Sequence, residues 1–367
     1  MLKFSIDQKK FLKILQKVSI LLIKNNSLSI LENILIKVER NILTLTSTNM
    51  DTEINVSDTL EVNNEEGFVC VSGRKLLSIC KSIPEQSIIY IETNDVKMFI
   101  NSNNSFFELS IVSENKFPIL QNFIPEVEII LSQNIIKKMI CDTYFSMAVN
   151  DVRYYLNGTL LEINKKMIRM VSTDGHRMAI SSFRLNIFKS LYSIIIPRKS
   201  ILELNKLLFN KSEPTKLRIN KNNIQINIQN VVFTSKLIDG QYPDYFNVLI
   251  TSPKVKISIN AKKLKQALLR VSILSDKQFQ SVHFYFFEGK IEVTANNESE
   301  EIAKEIIQLN YYGEEVKFSI NSTYIIDILN NFYDENIILL FNIPVSIIQI
   351  ENLSYPLNYF VVMPLLL

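Results

Sequence analysis

The chain has 367 residues, 47% of them hydrophobic and 21% charged, which suits two or three packed domains and excludes a disordered chain. Its net charge of +3 is too small to argue for a nucleic-acid partner, so any basic surface must be local. With only 7 glycines, phosphate-cradling loops are not expected, and no apolar run reaches the roughly 18 residues of a membrane span.

The first ten residues, MLKFSIDQKK, place charges where a secretory signal needs an apolar core. Cys70, Cys80 and Cys141 show no C-x-x-C spacing, which fits reduced thiols. A soluble, cytoplasmic protein is the expectation.

The first element reads as a strand at Phe4, followed by a polar cap at Asp7 and a helix. Phe11, Ile14, Leu15 and Val18 fall on one face of that helix, and Lys10, Lys13 and Lys17 on another. The same strand, cap and helix return from Ile129 with Ser132, and from Val255 with Asn260. Strand pairs follow in each case, with turn centres near Arg40, Lys165 and Gly289, at steps of 125 and 124 residues. A second helix then carries Arg74-Lys75 and, 124 residues on, Arg198-Lys199; the third copy, INSTYIIDILNNF, lacks the basic pair. Closing strands run to Pro118 and Pro243, and the third ends in NYFVVMPLLL.

The chain therefore reads as three copies of one α+β unit, each with two helices on antiparallel sheets, over residues 1–126, 127–253 and 254–367. Basic residues recur on the helices: Lys9, Lys10, Lys13 and Lys17, then Lys137, Lys138, Arg198 and Lys199, then Lys262, Lys263, Lys265 and Arg270. On any single helix these fit a solvated face. Gathered on one side of an array, they fit a surface that meets phosphates without reading bases.

The stretch STDGHRMAI, Ser172–Ile180, packs Asp174, Gly175, His176 and Arg177 together and has the look of an active site. A catalytic histidine needs an orienting partner and a nucleophile or metal. One aspartate two residues away does not supply these, and the other histidine, His283, belongs to a different copy. Neither H-E-x-x-H nor a P-loop motif occurs. Asp174 and Gly175 read as the bend of a turn.

FSMAVNDVRYYLNGTLLE, VSTDGHRMAI, IPRKSILEL, VFTSKLIDGQYPDY and the terminal YFVVMP occur in the order and spacing of one family. Over its whole length the chain resembles the β subunit of bacterial DNA polymerase III, the replication sliding clamp. The resemblance implies a head-to-tail homodimeric ring of six similar domains, with helices lining the hole and sheets outside. It implies no catalytic residue, metal or cofactor. Its expected partners are encircled double-stranded DNA, a second copy of the chain, the polymerase III α subunit, the clamp loader, and other proteins with a Gln- and Leu/Phe-containing motif.

Carried over by position, the partner-peptide pocket would use Arg153, Leu156, Thr173, Gly175, His176, Arg177, Met178, Pro243, Val248, Asn321, Tyr324, Val345, Val361, Met363 and Pro364. Met178, Val361 and Met363 fit a core equally well. Contacts to duplex DNA would come from Lys24, Asn25, Arg74, Asn150, Tyr154, Tyr155 and Arg198, with Tyr155 also bordering the pocket. The subunit contact would join Lys75, Phe107 and Leu109 to Ile273 and Leu274, although the last four could instead fill their own cores. Asn25 and Leu366 stand where the family has arginine, and Ser29 where it has proline.

Two other readings compete: a nucleic-acid enzyme on repeated domains, and a scaffold that never meets DNA. A nuclease needs clustered carboxylates for Mg²⁺, and the pairs Asp151/Asp174 and Glu298/Glu301 do not form such a pattern. Salt-sensitive retention on circular but not linear duplex separates the clamp from both.

Overall fold

The computed structural model describes residues 2–22, 29–61, 64–113, 117–120, 123–185, 191–332 and 335–365. It divides into two compact units, Met1–Lys137 with Leu202–Leu237, and Lys138–Ile201 with Ile238–Leu367.

Each repeat contributes eight described strands and two helices in one order. The first runs β1 (Lys3–Asp7), α1 (Gln8–Val18), β2 (Asn33–Glu39), β3 (Ile42–Thr48), β4 (Thr52–Thr59), β5 (Gly67–Ser72), α2 (Gly73–Ser82), β6 (Ile88–Thr93), β7 (Lys97–Ser102) and β8 (Ser105–Ser110). The second runs β9 (Val127–Ser132), α3 (Gln133–Thr143), β10 (Gly158–Ile163), β11 (Met167–Thr173), β12 (Arg177–Arg184), β13 (Tyr192–Pro197), α4 (Arg198–Leu207), β14 (Pro214–Ile219), β15 (Asn223–Ile228) and β16 (Val231–Lys236). The third runs β17 (Val255–Asn260), α5 (Ala261–Val271), β18 (Ser281–Phe287), β19 (Lys290–Asn296), β20 (Ile302–Gln308), β21 (Val316–Asn321), α6 (Ser322–Leu329), β22 (Asn336–Phe341), β23 (Ile348–Asn352) and β24 (Tyr359–Val362).

The local signals explain these elements. Asp7 and Asn260 cap α1 and α5 by accepting from the N–H groups of Lys10 and Lys263, each at 3.0 Å. The expected stripe of α1 is buried, with Phe11, Leu15 and Val18 at 0% exposure. The β2–β3 turn holds both Arg40 and Asn41 at positive φ, 49° and 60°. This turn geometry matches the twist of a tight hairpin, and the arginine gives no hint of it in sequence.

The compact units cut across the repeats because the sheets do. In the first unit, β5-β2-β3-β4 of one repeat continues through β16-β15-β14-β9 of the next as one eight-stranded sheet. In the second unit, β13-β10-β11-β12 continues through β24-β23-β22-β17. The joins are antiparallel pairs, with Ile54 opposite Phe233 on β4–β16 and Met178 opposite Val361 on β12–β24. Two four-stranded sheets remain separate, β1-β6-β7-β8 and β20-β19-β18-β21.

Parts of the basic helix faces are engaged within the chain. Lys10 pairs with Asp58 at 3.0 Å, Lys17 donates to Asn230 at 2.9 Å, and Arg270 meets Glu305 at 2.6 Å. Burial pushes the Lys17 ammonium below its ordinary pKa, with Asp58 opposing that shift. Lys9 and Lys13 remain exposed.

Phe233 is fully buried at the β4–β16 join. Phe233→Ala should destabilise the first unit by about 3–5 kcal/mol through lost burial and a residual cavity. The check is the urea midpoint of the transition that a probe in residues 214–236 reports; an unchanged midpoint would refute a structural role for the join.

Candidate functional site

Asp174 builds the turn between β11 and β12. Its Oδ1 accepts from the N–H groups of His176 and Arg177 at 2.9 and 3.0 Å. Gly175 sits at φ +91°, a torsion that favours glycine, and a Cβ there would come within 3.0 Å of the Arg153 guanidinium, which would have to shift slightly. The Thr173 hydroxyl donates to the Arg177 carbonyl at 2.7 Å and accepts from the Gly175 N–H at 3.1 Å. The Tyr242 hydroxyl accepts from the Thr173 N–H at 3.1 Å. Burial pushes the Tyr242 hydroxyl pKa upward, so it stays protonated.

Arg177 ties this turn to the third repeat. Its Nε donates to Asp174 Oδ2 at 3.0 Å and its Nη1 to Asp327 Oδ2 at 2.6 Å, while the guanidinium stacks 4.5 Å from the Tyr324 ring centre. Asp174 and Arg177 are thus occupied in holding the hairpin. His176 is left exposed at its tip, and its carbonyl accepts from Met363 N–H at 2.9 Å.

A second loop supports the hairpin. Arg153 donates from Nε and Nη2 to the two oxygens of Asp151 at 3.0 and 2.9 Å, and from Nη2 to the Asp174 carbonyl at 3.3 Å. The Asn157 side chain closes the loop by accepting from the Asp151 N–H and donating to the Asp151 carbonyl, at 2.9 and 2.8 Å. The Arg153 guanidinium holds the Asp151 carboxyl at about 2, below the usual carboxylate range.

Between these walls lies a cleft of about 210 Å³. Eleven of the residues expected there line it: Arg153, Leu156, Thr173, Gly175, His176, Arg177, Met178, Pro243, Val248, Val361 and Met363. Leu156, Met178 and Val361 form a buried apolar floor, while His176, Pro243 and Met363 are exposed at the rim. Met178 and Val361 line the cleft and at the same time belong to a core cluster with Tyr245.

Asn321, Tyr324, Val345 and Pro364 are not among the lining residues. The Asn321 side chain instead caps α6 through the Thr323 N–H at 2.9 Å, Tyr324 lies under Arg177, and Val345 packs on the third repeat's core. Tyr155, Asp244 and Tyr245 line the cleft as well. The last two sit in the QYPDY run beside Pro243, so proximity to that proline was the available signal.

The remaining expected residues are dispersed. Lys24, Asn25 and Leu366 lie outside the described residues. Arg74 is exposed and donates to the Leu22 carbonyl at 3.2 Å. At the equivalent place, Arg198 is half-buried and donates to the Tyr144 and Met147 carbonyls at 3.2 and 3.1 Å. Both therefore brace the chain after the first helix of their repeat, a role their basic pairs did not disclose. Asn150 and Tyr154 are exposed, and Tyr154 meets Tyr155 edge to face at 5.8 Å. Lys75 is exposed, Phe107 half-buried and Leu109 already buried within its own sheet. Ile273, 77% exposed, lines with Leu274 a separate hollow of about 690 Å³.

Three family models match the chain in series. They are the N-terminal domain of the DNA polymerase III beta subunit over residues 2–121, its central domain over 130–244 and its C-terminal domain over 247–365. The chain is 43% identical over 350 residues to the beta sliding clamp of Buchnera aphidicola subsp. Acyrthosiphon pisum, covering 95% of this chain and 96% of that one. It is 37% identical over 364 residues to the beta sliding clamp of Escherichia coli K12, covering 99% and 100%. The crystal structure of DNA polymerase III subunit beta from Pseudomonas aeruginosa matches with a TM-score of 0.96 at 32% identity, covering 100% of both chains. A Pseudomonas aeruginosa sliding clamp bound to griselimycin matches equally, at 0.96 and 33% over 100% of both.

The chain belongs to the family of bacterial β sliding clamps, the β subunit of DNA polymerase III. It is a non-catalytic processivity factor of DNA replication, and the head-to-tail dimeric ring comes with the family.

Because the folded state depresses the Asp151 pKa, its contribution to stability is complete above the unfolded carboxylate value near ~3.9 and is lost as pH falls through about 2. A carboxyl titration followed by NMR should place Asp151 at about 2 in the wild type and near the ordinary value in Arg153→Ala. Coincident midpoints in the two proteins would remove Arg153 as the partner of Asp151 in this loop.

Proposed function

We propose that the cleft between the 150s loop and the Thr173–Arg177 turn receives the extended peptide of replication proteins. The supporting observation is a buried apolar floor of Leu156, Met178 and Val361 under a rim pinned by Asp151, Asp174 and Arg153. Such a floor takes a Leu or Phe side chain, and the polar rim takes the peptide backbone and a glutamine. The occupants are the polymerase III α subunit, the clamp loader and other carriers of that motif, in the cytoplasm. Among the described residues no helix is long and apolar enough to cross a membrane.

Duplex DNA passes through the ring without being read, held by a few side chains. Arg74, Asn150, Tyr154 and Tyr155 are the contacts proposed here, so direct affinity is weak and salt-sensitive. Domain limits at 126/127 and 253/254 follow the repeats.

The ring closes by repeating a join that the chain already makes twice. By position in the repeat, β4, β12 and β20 are equivalent, as are β16, β24 and β8. The first two pairs are β4–β16 and β12–β24. The third, β20–β8, is left for two subunits to make, head to tail, with Phe107 and Leu109 meeting Ile273 and Leu274 of the partner subunit on the inner side.

Met363→Ala and Val248→Ala should each weaken a Gln- and Leu/Phe-containing peptide by roughly 5–30-fold, as expected for truncated anchors, and His176→Ala by about 3-fold. Fluorescence titration on dimeric protein reads this, and unchanged affinity in all three variants would place the peptide elsewhere. Tyr154→Ala should lower direct affinity for a short duplex while leaving the subunit equilibrium unchanged. A filter-binding series across salt concentration tests that, and nanomolar sequence-specific binding to a linear duplex would contradict encirclement.

A further inference from the structure

An edge strand left open to water usually carries charge or proline to discourage pairing. The outward faces of β8 and β20 carry charge at Glu108 and Lys304, but large exposed apolar side chains as well. Phe106 on β8 is 57% exposed, and Ile302 and Ile306 on β20 are 70% and 48% exposed. Phe106 is also held in place: its ring stacks on Phe99 of β7 at 6.1 Å and 17°. These residues lie on the opposite side of their strands from Phe107 and Leu109, and from Ala303 and Ile307, which pack inward.

The two joins within the chain supply a register for the third. The β7–β8 and β15–β16 hairpins both turn over two residues, with Ser102 opposite Ser105 and Ile228 opposite Val231. Phe107 therefore stands where Phe233 stands. On the other side, the last residue of β3, Thr48, faces Glu53, and the last residue of β19, Asn296, faces Ile302. Ala303 therefore stands where Ile54 stands. Transferring the Ile54–Phe233 pair sets Phe107 opposite Ala303 of the partner subunit. Phe106 then faces Lys304 of the partner subunit, with Ile302 and Ile306 of the partner subunit on its two diagonals, within reach of an aromatic ring. Glu108, beside Lys97 on the same face, falls diagonal to Lys304 of the partner subunit, which adds opposite charge.

We propose that the subunit junction is sealed on its outer face by an apolar seam, in which Phe106 of one protomer lies between Ile302 and Ile306 of the partner subunit. The occupant of this surface is a second copy of the chain, because the patch is continuous with the β20–β8 join and sits on both of its edges. The inference rests on the head-to-tail reading above. It adds a second layer to the inner contact and gives the interface two sides, so that opening the ring must expose apolar area on both faces of the sheet.

The test uses the full chain, with the dimer dissociation constant measured by mass photometry and sedimentation over a dilution series. Phe106→Ser and Ile302→Ser should each weaken the dimer roughly 10-fold or more, and the double variant by less than the product of the two. Both side chains are exposed in the protomer, so thermal unfolding of the monomer should be nearly unchanged for Ile302→Ser and should shift for Phe106→Ser only by the lost stacking on Phe99. As an independent reading, Phe106→Cys combined with Lys304→Cys in a Cys141→Ser background should yield an interchain disulfide on mild oxidation, since Cys70 and Cys80 are buried and Cys141 is half-buried. Single variants within 2-fold of wild type, in a background where Ile273→Ala weakens the dimer, would overturn the seam and leave the ring intact. So would a dimer that forms no cross-link. A wild-type chain that is monomeric at micromolar concentration would instead overturn the head-to-tail reading itself.

Discussion

The architecture depends on antiparallel pairing between strands that belong to different repeats. A four-stranded half-sheet has two open edges, each a row of unpaired backbone N–H and C=O groups. Joining half-sheets at β4–β16 and β12–β24 satisfies the backbone at those edges and lets one continuous sheet back the helices. Once that join exists, the limits of a compact unit need not match the limits of a sequence repeat. Repeats decide which residues resemble one another, whereas sheet pairing decides which ones pack together.

The cleft follows from the same geometry. Its floor is laid down by β12 and β24, whose pairing brings Met178 opposite Val361 although 183 residues separate them in the chain. The walls come from short segments with dense local bonding, the Asp174 turn and the Asp151–Arg153 loop. Rigid walls over an apolar floor reduce the ordering entropy that a bound peptide would otherwise have to offset. Asp142 adds a buried tie beneath this region: it accepts from Ser181 and from Asn358, just before β24, at 2.8 and 2.9 Å. Burial raises its pKa, with Lys138 opposing.

Much of this was legible in the residues. The three-fold period, the α1 stripe, the Asp7 and Asn260 caps and the turn at Asp174–Gly175 each rest on local chemistry that sequence displays directly. Most of the cleft was legible too, although only through resemblance, since Leu156, Met178 and Val361 look like any core residues until the fold sets them around one space. Hidden in sequence were the choices that tertiary packing makes. Asn321 stands before its helix as Asn260 does, so its cap was a local signal that the resemblance displaced, whereas nothing local says that Arg198 turns to the Tyr144 and Met147 carbonyls. Nor do the strands of one repeat announce that they divide between two sheets, because alternation fixes the face of a strand and not its neighbour.

The Met178–Val361 pair sits at once on the floor of the cleft and in the rung that joins two half-sheets. A small molecule seated on that floor would press on side chains the protein cannot readily exchange. Substitutions that open space there to escape an inhibitor would also loosen the join between β12 and β24. Drift is freer at the rim, where the side chains of His176, Pro243 and Met363 face solvent. An inhibitor that drew its affinity from the floor would therefore be harder to evade than one that relied on the rim.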